Sequence, residues 1–207
     1  MNELYRALQQ IQQLSQPGFP FPVHSPPVGG AGELSRASVL ALISGKSFEA
    51  AEILLLKRSS TVLTHPDQVA FPGGGVEDQD QGDLIETALR ETREEVGLHR
   101  DGIHPIGLLP GLPTVSGGVW VSPVLAFAEP QVRASALSLD AHEVAHASWA
   151  PLVELRATRK EEFRNVRGSG LVLPEFTWGQ ERMWGMTALI FDLILKRYAS
   201  LDSRVLG

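Results

Sequence analysis

The amino-acid sequence predicts an α/β fold, and three observations carry that expectation. Segments with the two-residue apolar period of strands are mixed along the chain with segments of helical period. One helical segment follows a complete break at Pro72-Gly73-Gly74-Gly75. With 207 residues, 43% of them hydrophobic, the chain can bury one packed core, or at most two.

In chain order, Leu4, Leu8, Ile11 and Leu14 stand at helical spacing, which predicts a short amphipathic helix over residues 3–14, read as an appendage. Residues 17–32 hold five prolines and four glycines, a composition that blocks both helix and central strand. They are expected to form an extended arm on the domain surface, which the alternation of Phe19, Phe21 and Val23 allows to dock. The division expected is 1–32 helix and arm, 33–200 the domain, and 201–207 a tail. Strands are expected over 37–43 and 51–57, the second ending at Arg58, with a turn at Gly45-Lys46 between them. Over 83–96, Leu84, Ala88, Leu89, Thr92 and Val96 share one helical face and Gly97 supplies the stop. Further strands are expected over 102–108, 119–127 and 144–149. An apolar helix over 182–198 carries Met186, Leu189, Ile190, Leu193 and Ile194.

Composition narrows the function. Lys plus Arg number 18 against 24 Asp plus Glu, a net charge of −6, which argues against nucleic acid or a membrane surface as partner. There is no cysteine, so disulfides, Cys-ligated zinc and a thiol nucleophile are excluded, in keeping with a reducing compartment. The apolar run 53–56 is far shorter than the roughly 18 residues of a membrane span. The N-terminus lacks the basic start and apolar stretch of a secretory signal, and a cytoplasmic location is expected. The charge is concentrated: from Glu77 to Glu95, eight acids face two bases, Arg90 and Arg93, so this window alone carries −6.

Glu91, Glu94 and Glu95 stand at i, i+3 and i+4 and crowd one side of one helical turn. An acidic run is ordinarily a solvated helix face, yet clustered carboxylates suit a hard divalent cation, magnesium or manganese. Gly73-Gly74-Gly75 just before lets backbone approach a metal or a phosphate, and the fork of Arg90 can orient a carboxylate.

Read as they stand, Gly74, Asp80 and Arg90-Glu91-Thr92-Arg93-Glu94-Glu95-Val96-Gly97-Leu98 resemble the signature of the Nudix hydrolases. The first acid is Asp80 rather than Glu, and nine residues separate it from Arg90, a longer loop than is usual in the family. Leu54-Leu55-Leu56-Lys57-Arg58-Ser59, His65, Gln68-Val69 and Phe71-Pro72-Gly73-Gly74 resemble the motif of the coenzyme A diphosphatases within it. Leu112 to Gly117, Val121 to Val124 and Trp184 to Ala188 add to that resemblance, while Leu63 and Asp67 depart from it, standing where Arg and Gly are common. The resemblance implies an α/β/α sandwich with a mixed sheet between helices. It implies Mg2+, or Mn2+, on Glu91, Glu94, Glu95 and the Gly74 backbone, with Arg90 positioning them and Glu91 favoured as base. A coenzyme A-like nucleotide would meet Arg58, Ser59, His65, Phe71, Gly73, Gly74, Thr114, Ser116 and Gly117. Its pyrophosphate would be cut to 4'-phosphopantetheine, or its acyl form, and 3',5'-ADP. Another diphosphate-linked nucleotide such as ADP-ribose, and a non-catalytic binding module, stay open as alternatives, as does assembly into a homodimer.

His142-Glu143-Val144-Ala145-His146 also spells the zinc-protease pattern, which needs a helix to bring both imidazoles to one face. Val144, Ala145, Ala147 and Trp149 followed by Pro151 read instead as a strand. Gly45-Lys46-Ser47 lacks the upstream glycine of a phosphate loop, since Leu40 stands there, and the loop from Asp78 lacks the glycine and final acid of a calcium loop. The four tryptophans read as core.

Overall fold

Strand β1 (Ser35–Ser44) is central because neither of its faces can meet water. Leu40 and Leu42 point into one apolar layer, Ala41 and Ile43 into the other, and all four are fully buried. In this computed structural model residues 2–14, 35–114, 118–166 and 169–205 are described, with backbone alone at 166, 169 and 202–205. The elements in order are α1 (Glu3–Gln13), β1, β2 (Glu52–Arg58), β3 (Val69–Ala70), β4 (Gly73–Gly75), a 3-10 turn at Asp78–Asp80, α2 (Leu84–Val96), β5 (Ile103–Leu108), β6 (Leu112–Pro113) and β7 (Val119–Ala128). There follow α3 (Pro130–Ala134), β8 (Val144–Pro151), α4 (Leu152–Ala157), β9 (Lys160–Val166), β10 (Ser169–Trp178), β11 (Glu181–Met183) and α5 (Gly185–Val205).

The main sheet runs β3-β2-β1-β7-β5, with β4 on β1, β6 on β7 and β8 on β2. It is mixed: β1 and β7 lie parallel from Ser35↔Val119 to Ile43↔Phe127, while β1 and β2 are antiparallel. β1, β2 and β7 are apolar on both sides, as strands covered on both faces must be. Leu40, Leu42, Leu54, Leu56, Val124 and Ala126 pack under Ala88, Leu89 and Val96 of α2. Ala41, Ile43, Ile53, Leu55, Leu125 and Phe127 pack under α1 and α5. The layers are helix, sheet, helix, as expected.

Three expectations change. The first helix is no appendage: Leu4, Leu8 and Ile11 are fully buried in the core, each contributing about 1.5–3 kcal/mol of apolar burial. Asn2 caps it, accepting from Tyr5 N–H at 2.9 Å and donating to the Gly45 carbonyl at 2.8 Å, and Arg197 donates to the Ile11 carbonyl at 3.0 Å. The last helix does not begin at 182. Arg182 lies in β11 opposite Thr177, and α5 starts at Gly185 and runs on to Val205. Between them the sequence concealed a three-stranded sheet, β11-β10-β9, because β9 sets four charged residues around a lone Phe163 and β10 carries Pro174. The proline-rich arm with Phe19, Phe21 and Val23 lies outside the described residues, as do Ser116 and Gly117. Among the described residues no helix is long and apolar enough to cross a membrane.

Candidate active site

The site forms where β4 and α2 meet. Asp83 caps α2, accepting from Ile85 N–H at 2.8 Å, and Gly97 closes it with φ 74° and its N–H on the Arg93 carbonyl. Only the left-handed region lets the chain leave the helix there, which glycine adopts without strain. Gly73 and Gly74 run hard against β1 and α2. A Cβ at Gly73 would collide with the Ser38 carbonyl, and one at Gly74 would stand 2.5 Å from Glu91 Cδ. The two positions exclude a side chain and so bring backbone up to the Glu91 carboxylate.

Glu95 is 2% exposed. Its Oε2 accepts from Gly73 N–H at 2.9 Å, and Oε1 lies 3.6 Å from Arg58 Nη1. Burial pushes its pKa up to about 8; the Gly73 bond and Arg58 oppose this, while the Glu91 and Glu143 charges add to it. Glu91 is half-buried, and burial raises its pKa too, against the pull of Arg90 and with the push of Glu94 and Glu143.

Arg90 organises the acids. Its Nε and Nη2 hold Asp80 at 2.9 and 3.0 Å, Nη2 also reaches the Gly75 carbonyl at 2.8 Å, and Nη1 meets Glu94 at 2.8 Å and Glu91 at 2.9 Å. The Arg90 bond holds the buried Asp80 carboxyl down at about 2, Thr87 adds a 2.9 Å bond, and Asp80 in turn raises Arg90. The long loop after Asp80 is taken up by left-handed turns at Gln81 (φ 52°) and Gly82 (φ 77°), so the extra residues leave the Asp80–Arg90 pair intact.

Among the described residues no three His, Cys, Asp or Glu side chains stand close enough to form a ready ligand set; Glu94 is turned to Arg90. The donors nonetheless suit a hard divalent cation. Two carboxylates are desolvated together, each held above its ordinary pKa, beside a backbone cleared of side chains at Gly74, and a cation among them relieves that cost.

Other expected residues fall in different places. Arg58 reaches the site and its Nε donates to the Thr64 carbonyl at 3.3 Å. Ser59 is buried, bonded to Thr61 and, through its N–H, to the Glu143 carbonyl. His65 is exposed in the β2–β3 loop. Phe71 is 3% exposed and its side chain packs in the core. Thr114 N–H bonds the Val119 carbonyl at 2.9 Å across the β6–β7 turn. Sequence reasoning missed Glu143 as a neighbour of Glu91 and Glu95: it read this residue inside the zinc pattern and at the start of a late strand of the Nudix resemblance. Val144 opens a strand, His146 lies opposite Lys57 and stacks on Trp178 at 5.2 Å, so the imidazoles do not share a helix face.

Residues 34–168 match the NUDIX domain. The chain belongs to the Nudix family. It is 37% identical over 166 residues to an uncharacterized Nudix hydrolase NudL of Enterobacter sp., covering 79% of this chain and 84% of that one. It is 35% identical over 168 residues to the human mitochondrial coenzyme A diphosphatase NUDT8, covering 79% and 70%. Among solved structures, an Ap4A hydrolase of C. elegans superposes with a TM-score of 0.51 at 20% identity, covering 82% of this chain and 99% of that one. That last likeness speaks to the fold alone. Nudix enzymes are pyrophosphatases that hydrolyse phosphoric anhydride bonds in nucleoside diphosphate-linked compounds and require a divalent metal, and this Nudix domain is such a hydrolase.

Proposed function

We propose that the substrate is coenzyme A or an acyl derivative, cleaved to 4'-phosphopantetheine or its acyl form and 3',5'-ADP. The observation that carries the chemistry is the pair of carboxylates, buried Glu95 and half-buried Glu91, set against Gly73 and Gly74. The choice of substrate is supported by the run from Leu54 to Gly74 and by the likeness to a relative named as a coenzyme A diphosphatase.

Glu91, Glu94, Glu95 and the Gly74 carbonyl would hold Mg2+ or Mn2+. When bound, the cation neutralises pyrophosphate oxygens and lowers the pKa of the attacking water. Arg90 keeps Glu91 and Glu94 in fixed orientation, clamped itself by Asp80. Gly73 N–H and Arg58 hold Glu95, and Arg58 extends the positive field toward the phosphates. Glu91 is the favoured acceptor for the proton of the attacking water.

A second reading, a different diphosphate-linked nucleotide, is favoured by Leu63, fully exposed on the β2–β3 loop, and by Asp67, whose charge acts on Lys57. A lost cation and an added anion weaken capture of a phosphate-rich ligand. Assay with magnesium against coenzyme A, ADP-ribose and nucleoside triphosphates decides between them. Release of 3',5'-ADP with the highest kcat/KM supports the coenzyme A reading; preference for ADP-ribose or a triphosphate overturns it.

A further inference from the structure

Strand β9 is the edge of the sheet β11-β10-β9, and among the described residues nothing pairs with its outer side. Its middle residue, Phe163, is 71% exposed, and its cross-strand neighbour Val172 is 53% exposed. The Phe163 ring lies over Gly170, whose added Cβ would stand 2.7 Å from Phe163 Cζ. Beside an open edge, these two side chains form an apolar strip on the outer face of the hairpin. Open edges are commonly guarded by charge, and β9 carries Lys160, Glu161, Glu162 and Arg164. Whether those charges repel or attract a second β9 depends on register.

We propose that β9 pairs antiparallel with β9 of a second copy of this chain, about a two-fold axis through Phe163, making one six-stranded sheet across the dimer. The axis stands perpendicular to the sheet, so every side chain keeps its face, and directly opposed residues share a face. The axis therefore passes through a residue, not between two. Centring on Glu161, Glu162 or Arg164 sets a charge against its own copy. Centring on Phe163 sets Glu162 opposite Arg164 of the partner subunit, twice by symmetry, and Glu161 opposite Asn165 of the partner subunit. On the outer face the two Phe163 rings meet, flanked by the two Val172 side chains, as one apolar band. Arg164 is already oriented, its Nη2 3.0 Å from Glu175 and its guanidinium 4.9 Å over Trp184. A guanidinium has five donors, so that bond leaves others for a carboxylate across the seam. A patch that satisfies itself in this way is the mark of an isologous contact between identical chains.

The absence of cysteine makes the register directly measurable in the full chain. Direct neighbours across an antiparallel pair lie within reach of a disulfide. Phe163→Cys is expected to give a covalent dimer on mild oxidation, because each Cys faces its own copy. Glu161→Cys should not, because it faces Asn165, while Glu161→Cys with Asn165→Cys should cross-link. By sedimentation the parent chain should be a dimer, and Phe163→Asp, which opposes two carboxylates on a solvent-facing site, should weaken association at least tenfold with unchanged circular dichroism. A parent chain that stays monomeric at 100 µM overturns the proposal, whatever else covers Phe163. So does a dimer indifferent to Phe163→Asp, or cross-linking of Glu161→Cys as efficient as that of Phe163→Cys.

Discussion

Replacing Glu95 by Gln is expected to abolish turnover and to make the metal-free protein more stable. Glu95 titrates at about 8 in the fold against an ordinary 4.5. Between those values the folded chain holds more protons than the unfolded one, so this residue lowers stability as pH rises, by about 1.4 kcal/mol per pH unit. At pH 7 the folded chain still holds the proton that the unfolded chain has released, and the cumulative loss of stability is about 3 kcal/mol on that reckoning. Gln keeps an oxygen for the Gly73 N–H but gives up the attraction to Arg58, which subtracts part of the gain. A net of about 1–3 kcal/mol at pH 8 corresponds to an upward Tm shift of about 3–9 °C for a chain of this size. The difference should fade to nothing by about pH 4.5, below which both states hold the proton. Calorimetry in EDTA across pH 5 to 8.5 measures it. Magnesium then provides the second arm: it stabilises the parent chain by about 2.7 kcal/mol at a hundredfold excess over Kd, raising its Tm, and leaves the variant unmoved. A variant less stable than the parent at pH 8, or a difference flat across the pH range, would refute this account of Glu95.

Three further outcomes follow from the same geometry. Arg90→Met removes the counter-charge of buried Asp80 and should cost about 3–5 kcal/mol in urea unfolding; adding Asp80→Leu should recover much of that without restoring turnover. The Asp80 carboxyl is held down at about 2, so its contribution is complete above its ordinary 3.8 and is lost as pH falls toward 2, a dependence that Asp80→Asn should remove. Gly74→Ala drives a Cβ into the Glu91 carboxylate; kcat should fall by at least a hundredfold, with the far-ultraviolet circular dichroism unchanged.

What could be read in the sequence was whatever repeats at the period of one element. β1, β2, β7 and β8 announce themselves by apolar runs, and α2 by its buried face and its Gly97 stop, within a residue or two of their bounds. The glutamates needed only helical spacing to be placed together. What could not be read depends on contacts between elements. The pattern of Leu4, Leu8 and Ile11 says that one face of α1 is apolar, not that α5 and the sheet cover it. The β9–β10 hairpin hides because its outer face is exposed and its charges are satisfied by one another, as Glu175 is by Arg164 and Arg182. Glu143 approaches Glu91 and Glu95 only because β8 pairs with β2, bringing its carbonyl to Ser59. Asp80 was legible as an acid but not as the partner of Arg90, since counting along the chain cannot register a loop folded back on itself.

That loop has a bearing on how sites of this kind change length over evolution. The bidentate grip of Arg90 on Asp80 measures a distance through space, and the Gln81–Gly82 turn absorbs whatever chain lies between. Insertions and deletions confined to 81–82 should therefore be nearly silent for turnover, whereas moving Asp80 by one position along the 3-10 turn should not be. A pattern that defines such sites by a fixed count of residues will overlook members whose loop has grown; one that asks which acid the arginine can reach will find them.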